Sequence, residues 1–219
     1  MIDEINAEQR FSVCIGIDKY ESKAGLSSLH CAENDARAMD ELLGTLGFHP
    51  ENRCLLLGQE ATLDAVNEAL YEYIRVRPGE DDLVIFYYAG HGKSLSLKDL
   101  TTLPPTDSKG EVFLTTYDFD AKKIREKTFY REAQALGMKR LRNDFFEGKG
   151  SRKRLFLFDC CYSGDFYGPR YRDDKDPMQA YIHHSFHTKS VGRIALTSCS
   201  PLEKAVEDRE LGHGLFSIN

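Results

Sequence analysis

The sequence has no long apolar run and no excess of positive charge. Its longest apolar stretch, residues 83–89, is far shorter than the roughly 20 residues that span a bilayer. Its first ten residues, MIDEINAEQR, are too charged for a signal peptide. The chain of 219 residues has 29 Lys and Arg against 35 Asp and Glu, a net charge of −6, which disfavours contact with a phosphate backbone. These features predict a cytoplasmic protein that binds neither nucleic acid nor membrane.

The sequence also lacks the motifs of common metal and nucleotide sites. It has six cysteines but no CxxC pair, and its Cys and His residues do not follow zinc-ligand spacing. The phosphate-cradling loops GxGxxG and GxxxxGK(S/T) are missing as well. Without an export signal, the thiols are expected to stay reduced. We therefore expect no required cofactor, and cysteines that are mostly core residues with one of them used in chemistry.

Apolar runs of strand length alternate with segments of helical spacing. Strands are predicted at residues 11–17, 54–57, 83–88, 154–158 and 193–197, and helices at 32–46, 62–76 and 131–146. Thr62 is expected to cap the second helix and Gly47 to end the first. A short strand pair is expected near residues 112–117, and the basic run 152–154 is expected to begin a strand in solvent. This order predicts an α/β protein with a mostly parallel central sheet, helices on both faces, and a site at the carboxyl ends of the strands.

Two reactive side chains directly follow predicted strands. The run LVIFYYAGHG places His91 between two glycines, and the run RLFLFDCCYSG places Cys161 just after another strand. Because parallel strands end at one edge of a sheet, we expect the imidazole and the thiol to lie close together. The pair suits nucleophilic catalysis, with His91 as acid and base and the Cys161 thiolate as the attacking group. The backbone amides of Gly92 and Cys161 are the candidates for an oxyanion hole.

The motifs YYAGHG and DCCYSG resemble the His and Cys motifs of the caspase-like cysteine peptidases, and more closely those of their metacaspase and orthocaspase branch. The resemblance extends over residues 11–219, through FSVCIGIDKY, LHCAENDARAM, FLTTYDFDA, ALTSCSPLEKAVE and GHGLFS in the family's order. It implies a caspase-like (caspase-hemoglobinase) fold and a cysteine endopeptidase with a dyad of Cys161 and His91. It also implies an N-terminal extension (1–10), a large-subunit-like part (11–164), a linker loop (165–190) and a small-subunit-like part (191–219) that is expected to be truncated.

The charges near these motifs indicate a substrate preference. Asp159 lies two residues before Cys161, and Asp35 lies in the segment that opens the first helix. Two carboxylates at a binding pocket favour Arg or Lys and repel Asp. The resemblance implies the same, because metacaspases use matching acidic positions to bind basic residues. Cleavage after Arg or Lys is therefore predicted.

The resemblance also implies how the peptidase meets its substrate and matures. A protein or peptide substrate is expected to pair as an added strand with residues 197–201, where Ser198 and Ser200 are the candidate binding residues. A zymogen that cuts its own linker loop is predicted from the basic residues there, which are Arg170, Arg172, Lys175 and Lys189. Because the edge strand through which animal caspases dimerise is not recognised, a monomer is expected.

Three alternatives remain open on the sequence. The segment HCAENDAR fits the HCx5R pattern of Cys-dependent phosphatases, although Glu33 and Asp35 bring negative charge to a loop that would bind phosphate. A catalytically silent interaction module with a caspase-like fold is the second alternative. The third concerns calcium, which many metacaspases need: Asp173, Asp174 and Asp176 are the candidate ligands, without the EF-hand spacing.

Overall fold

The computed structural model describes residues 8–95, 111–120, 122–123, 135–160, 192–198, 207–208 and 213–214. The strands in these ranges are β1 (Arg10–Gly16), β2 (Arg53–Leu57), β3 (Leu83–Ala89), β4 (Gly92–Leu95), β5 (Glu111–Leu114), β6 (Leu136–Gly137), β7 (Lys153–Asp159), β8 (Arg193–Thr197), β9 (Glu207–Asp208) and β10 (His213–Gly214). The helices are α1 (Ala32–Thr45), α2 (Leu63–Leu70) and α3 (Met138–Arg140); α2 and α3 continue as wider π-helical turns over Tyr71–Val76 and Leu141–Phe146. Across the described ranges, no helix combines the length and apolarity needed to cross a membrane.

Five strands form a parallel central sheet in the order β2-β1-β3-β7-β8. Their registers place Leu57, Gly16, Ala89 and Asp159 side by side in one row at the carboxyl ends. The strand order reverses at β1, because β2 lies on one side of it and β3 on the other. In open α/β sheets, ligands bind outside the carboxyl ends of the strands at such a reversal. The predicted α/β class and the mostly parallel sheet are confirmed.

Helices cover both faces of this sheet. Along β1, Val13 and Ile15 belong to a core that residues of α2 and of the turn after α3 share, whereas Cys14 belongs to a second core with residues of α1. A strand that is covered on both faces has no solvent side, so its sequence is apolar throughout. This explains why the predicted strands appear as continuous apolar runs.

Two predicted helix ends are confirmed. Thr62 precedes α2, and its hydroxyl accepts a hydrogen bond from the Ala65 amide at 3.3 Å, as an N-cap residue does. The first helix ends at Thr45, and Gly47 follows with a φ of +86°, a left-handed conformation that suits glycine.

A second sheet begins directly after β3, where β4, β5 and β6 pair antiparallel in that order. Of the strand pair expected near residues 112–117, one strand is confirmed as β5; its partners β4 and β6 lie elsewhere in the chain. The helix predicted over 131–146 is wrong at its start, because Leu136–Gly137 pairs with β5 and the helix begins only at Met138. The buried apolar residue Leu136 suits a strand as well as a helix, and the backbone pairing with β5 decides between them. Residues 131–134 lie outside the described residues.

The basic run 152–154 begins in solvent at Arg152 and Lys153, as expected, but Arg154 is buried. Its side chain is 1% exposed, and its guanidinium donates hydrogen bonds to the backbone carbonyls of Phe145, of Phe146 at 3.1 Å and of Lys149 at 2.6 Å. The carbonyls of Phe145 and Phe146 lie at the end of the turn that continues α3, where a positive charge is favoured by the helix dipole, and Lys149 follows in the loop. Burial lowers the pKa of Arg154 to about 10.

Candidate active site

The loop after β1 passes over the carboxyl edge of the sheet before α1 begins. The Leu29 amide donates to the Asp18 carbonyl oxygen at 2.8 Å, so the loop closes on itself. The Asp18 side chain accepts from the Ala32 amide at 2.9 Å, which satisfies one of the unpaired amides at the start of α1. The loop is therefore held to both elements that it joins.

The imidazole of His91 is held by a backbone carbonyl of this loop. Its Nε2 lies 2.8 Å from the Ser27 carbonyl oxygen, and its ring packs against Tyr20 at a centroid distance of 5.4 Å. A carbonyl oxygen only accepts, so Nε2 carries a proton, and in the neutral imidazole Nδ1 keeps its lone pair. The ring is thus oriented with its basic nitrogen away from Ser27, as a general base requires.

The main chain of His91 is held from two sides. Its amide donates to the Tyr20 hydroxyl at 2.8 Å. Its carbonyl oxygen accepts from the Thr115 amide at 3.0 Å and from Thr115 Oγ1 at 2.8 Å. The Tyr88 hydroxyl lies 3.0 Å from the same oxygen and 2.7 Å from the Thr115 carbonyl oxygen. We call Tyr20, Tyr88 and Thr115 the hydroxyl clamp.

Burial keeps both phenols of the hydroxyl clamp neutral. It raises the pKa of Tyr20 to about 12, although hydrogen bonds with Thr115, His91 and Tyr88 act in the opposite direction. It also raises the pKa of Tyr88 well above its ordinary value. The Tyr20 oxygen therefore stays a neutral acceptor for the His91 amide throughout the physiological pH range.

The neighbouring strand β7 ends beside β3. The Gly90 amide donates to the Asp159 carbonyl oxygen at 3.2 Å, which ties the residue before His91 to the end of β7. The Asp159 side chain is buried, and the next residue, Cys160, lies fully buried in the core of α2 and α3. Cys161 lies outside the described residues, so its pairing with His91 stays a prediction.

The four cysteines that the structure describes, Cys14, Cys31, Cys54 and Cys160, are unsuited to nucleophilic attack. All four are free thiols, and three of them are fully or almost fully buried. Burial raises the pKa of Cys54 to about 11 and that of Cys14 even further. Because the thiolate is the nucleophile, groups that hold their proton so strongly are inert near neutral pH.

Asp35 lies in the first turn of α1 and is 3% exposed. This turn packs tightly against the end of β1, since a Cβ at Gly16 would lie 2.4 Å from the Ala32 carbonyl oxygen. Gly16 and Asp159 are two strands apart in one row, a separation of about 10 Å. The structure thus brings Asp35 and Asp159 to the same edge of the sheet, on either side of β3.

The pairing of β4 with β5 determines the direction of the Gly92 amide, the candidate oxyanion-hole donor. Gly92 begins β4, where it is paired with Leu114. The hydrogen bond of this ladder runs from the Thr115 amide to the His91 carbonyl, so antiparallel geometry turns the Gly92 amide away from β5.

Of the two serines predicted to bind substrate, Ser198 is described and Ser200 lies outside the described residues. The Ser198 amide donates to the Phe158 carbonyl oxygen at 2.9 Å, so this amide pairs with β7 and is not available to a substrate. Backbone groups alternate in direction along a strand, and Thr197 therefore turns its amide and carbonyl away from β7. Among the described strands, β8 is the outermost on this side of the central sheet.

The acids predicted as calcium ligands, Asp173, Asp174 and Asp176, and the linker loop 165–190 also lie outside the described residues. Within the ranges that are described, no group of three or more His, Cys, Asp or Glu side chains is arranged to hold a metal ion.

The phosphatase alternative is contradicted by the fold. A phosphate-binding loop surrounds its anion with free amides between the Cys and the Arg. Here the residues after Cys31 form the regular helix Ala32–Thr45, which carries Arg37 on its exposed side, while Cys31 is 1% exposed. The thiol and the guanidinium do not enclose a common site.

The sequence predicted a role for His91 but not the groups that orient its imidazole. Ser27 contributes a backbone carbonyl, which every residue type has, so its identity carries no signal. Tyr20 and Thr115 lie 71 and 24 residues from His91 along the chain, beyond any local pattern. The one available signal was a tyrosine shortly after β1, because a buried Tyr hydroxyl usually has a hydrogen-bond partner.

Comparisons with known proteins place this arrangement in a family. The chain matches the family model described as Caspase domain, of the peptidase C14 group, over residues 9–217. A crystal structure of a protein from Geobacter sulfurreducens matches with a TM-score of 0.63 and 18% sequence identity, covering 95% of this chain and 79% of that chain, so the two share a fold. No curated protein matches the sequence. Since the family model spans almost all of the chain, this protein belongs to the caspase domain family of cysteine-type peptidases.

Proposed function

We propose that this protein is a cysteine endopeptidase of the metacaspase and orthocaspase branch, which hydrolyses peptide bonds after Arg and Lys. Cys161 is the nucleophile and His91 is the acid and base. The observation that carries the proposal is the orientation of the imidazole, whose Nε2 bears a proton toward the Ser27 carbonyl and leaves Nδ1 as the basic nitrogen.

In this reaction, His91 Nδ1 takes the proton of the Cys161 thiol, and the thiolate attacks the carbonyl carbon of the scissile bond. The Ser27 carbonyl stabilises the imidazolium that forms. The amides of Gly92 and Cys161 donate to the oxyanion of the tetrahedral intermediate. His91 then gives its proton to the leaving amine, the carbon–nitrogen bond breaks, and water hydrolyses the remaining thioester.

The register of the central sheet supports the choice of Cys161. Ala89 and Asp159 are paired across β3 and β7. His91 is the second residue after Ala89, and Cys161 is the second residue after Asp159, so the two reactive residues follow paired strand ends at equal distance. Cys160 is turned into the core and is excluded as the nucleophile by its burial.

The position of two carboxylates supports a preference for basic residues. Asp35 and Asp159 come from α1 and β7 and flank the strand that carries His91. Negative charge on both sides of the site favours a guanidinium or ammonium group and disfavours an acidic side chain. The outward-facing backbone of Thr197 offers an edge to which substrate backbone adds, with Ser198 and Ser200 beside it.

Matched fluorogenic peptides that end in Arg, Lys, Asp or Asn test this function, each with and without calcium and beside the Cys161→Ala variant. Turnover of the Arg and Lys peptides that disappears in the variant would support the proposal. Equal activity with and without calcium would support the absence of a required cofactor. Silence on all four peptides would instead support a catalytically silent interaction module.

The Asp159→Ala variant tests the acidic pocket. Loss of one partner of a buried ion pair costs about 2–5 kcal/mol, so kcat/KM on the Arg peptide is expected to fall at least about thirtyfold. Asp81→Ala is the matched control, because Asp81 is an exposed carboxylate that pairs with Arg152 at the opposite end of the sheet. Unchanged cleavage after Arg in Asp159→Ala would contradict the pocket assignment.

We also propose that the enzyme cuts its own linker loop. An enzyme that prefers basic residues is expected to cut within residues 165–190, separating the large-subunit-like part (11–164) from the small-subunit-like part (191–219). Intact-mass spectrometry would find wild-type protein nicked there and Cys161→Ala intact; nicking in both would assign the cut to another protease.

The protein is also proposed to be a monomer. Sedimentation equilibrium at micromolar concentration is expected to give the mass of one chain.

A further inference from the structure

We propose that Tyr20 is a positioning residue of the catalytic site, because its hydroxyl holds the main chain of His91 and thereby sets where Nδ1 lies. The inference rests on the proposed function in that it concerns the base of that reaction. The contact between the Tyr20 oxygen and the His91 main chain can nevertheless be tested without any peptidase activity.

The loop between β1 and α1 holds His91 at two points. The Tyr20 hydroxyl accepts from the His91 amide at 2.8 Å, and the Ser27 carbonyl oxygen lies 2.8 Å from His91 Nε2. Backbone and ring are thus attached to one loop, and the Tyr20 ring also packs on the imidazole. Because the two attachments share a loop, a shift of the His91 main chain moves the ring relative to the Ser27 carbonyl as well.

The Tyr20 oxygen is itself held in place. It interacts with the hydroxyls of Thr115 and Tyr88, and these two side chains also contact the His91 carbonyl oxygen. The peptide groups on both sides of the His91 Cα are therefore fixed by one group of hydroxyls. Phenylalanine at position 20 would keep the ring contact but remove the hydroxyl that accepts from the His91 amide, and an amide that loses its acceptor is costly.

The first readout is steady-state hydrolysis of the Arg peptide by Tyr20→Phe and by Tyr71→Phe. Tyr71→Phe is the matched control, since it removes a hydroxyl from a tyrosine that is 53% exposed and lies after α2. We expect kcat of Tyr20→Phe to fall about tenfold with KM within about twofold, because an unpaired amide perturbs the base and not the substrate pocket. The control is expected to match wild type.

The second readout does not depend on peptidase activity. Imidazole nitrogen shifts of His91, recorded by NMR and assigned with His91→Asn, report its tautomer. We expect the Nε2–H tautomer in wild type, and a changed tautomer ratio in Tyr20→Phe. Amide hydrogen exchange is expected to rise at least about tenfold at His91 and to stay unchanged at Phe86, in the middle of the same strand.

The two readouts separate the two claims. If wild type hydrolyses no peptide but His91 responds to Tyr20→Phe, the proposed function fails and the positioning role stands. If the tautomer, the exchange rate and kcat in Tyr20→Phe all equal those in Tyr71→Phe, the positioning role is overturned. If Tyr20→Phe does not fold, Thr115→Val tests the other end of the clamp, because it removes the Oγ1 donor to the His91 carbonyl; an unchanged His91 spectrum there would also overturn the proposal.

Discussion

The two tyrosine hydroxyls of the clamp occupy the space where Gly90 has no side chain. A Cβ built on Gly90 would lie 2.7 Å from the Tyr88 hydroxyl, 2.9 Å from the Tyr20 hydroxyl and 3.0 Å from Tyr88 Cζ. Gly90 does not have a positive φ, so alanine fits its backbone conformation and meets only a steric obstacle. Gly90→Ala therefore tests packing of the clamp without a change in backbone strain.

The expected loss of stability in Gly90→Ala depends on whether the hydroxyls of Tyr20 and Tyr88 can move away from the added methyl group. Tyr88 is 1% exposed and cannot swing into solvent. Inserting a methyl group into a packed interior costs about 1–3 kcal/mol, and displacing a tyrosine hydroxyl from its partners costs about 1 kcal/mol more. We expect Gly90→Ala to lower the free energy of unfolding by about 2–4 kcal/mol and the thermal midpoint by about 5–10 °C.

Gly79→Ala is the matched control for this variant. A Cβ at Gly79 would lie 3.4 Å from Asp82 Oδ2, which is ordinary contact, and Gly79 also lacks a positive φ. Both variants reduce the entropy of the unfolded chain equally, so urea unfolding isolates the steric cost. In the background of Tyr88→Phe, which removes the nearest oxygen, the cost of Gly90→Ala should shrink. Equal stability of Gly90→Ala and Gly79→Ala would refute the packing argument.

Two further predictions concern stability away from the site. Thr62→Ala should cost about 1 kcal/mol in urea unfolding, because it removes the acceptor of the Ala65 amide at the start of α2; a change below about 0.3 kcal/mol would show that solvent replaces the cap. Burial raises the pKa of Cys54 from its ordinary value of 9.0 to about 11. The unfolded chain therefore loses this proton first, and stability should fall as pH rises from about 9 to 11. Cys54→Ala should flatten that fall; an identical slope in the variant would contradict the assignment.

The fold was largely predictable because strand burial leaves a strong trace. Strands covered on both faces favour apolar side chains. Accordingly, β3 (LVIFYYA) is an unbroken apolar run, β1 (RFSVCIG) is interrupted at Ser12, and β7 (KRLFLFD) is apolar between its charged ends. His91 was predicted as a reactive residue from its place directly after such a run, and that role stays a prediction. The start of α3 was not predictable in this way, because an apolar residue such as Leu136 fits either period and its pairing with β5 joins segments far apart in sequence.

Charged and backbone groups were the least predictable parts. Arg154 stands in a basic run that resembles a solvated strand start, yet its Nη1 and Nη2 donate to backbone carbonyls at and after a helix end. Every residue type has such a carbonyl, so the sequence does not signal this contact. Ser27 also orients His91 through its backbone carbonyl, and because every residue has one, the sequence gives no signal of this contact. Groups of this kind become visible only when the chain is folded, because their role depends on distance and not on identity.

The two glycines around His91 have different physical reasons, although they look alike in the sequence. Gly90 leaves room for the hydroxyls of Tyr20 and Tyr88, which hold the main chain of His91. Gly92 turns its amide away from β5, and in the proposed mechanism this amide donates to the oxyanion. Alanine at position 90 should therefore change stability and the conformation of His91 together, whereas alanine at position 92 should change turnover with little change in the His91 tautomer. These two outcomes together would show that the groups that orient the proposed base and the amide proposed for the oxyanion are separable parts of one three-residue motif.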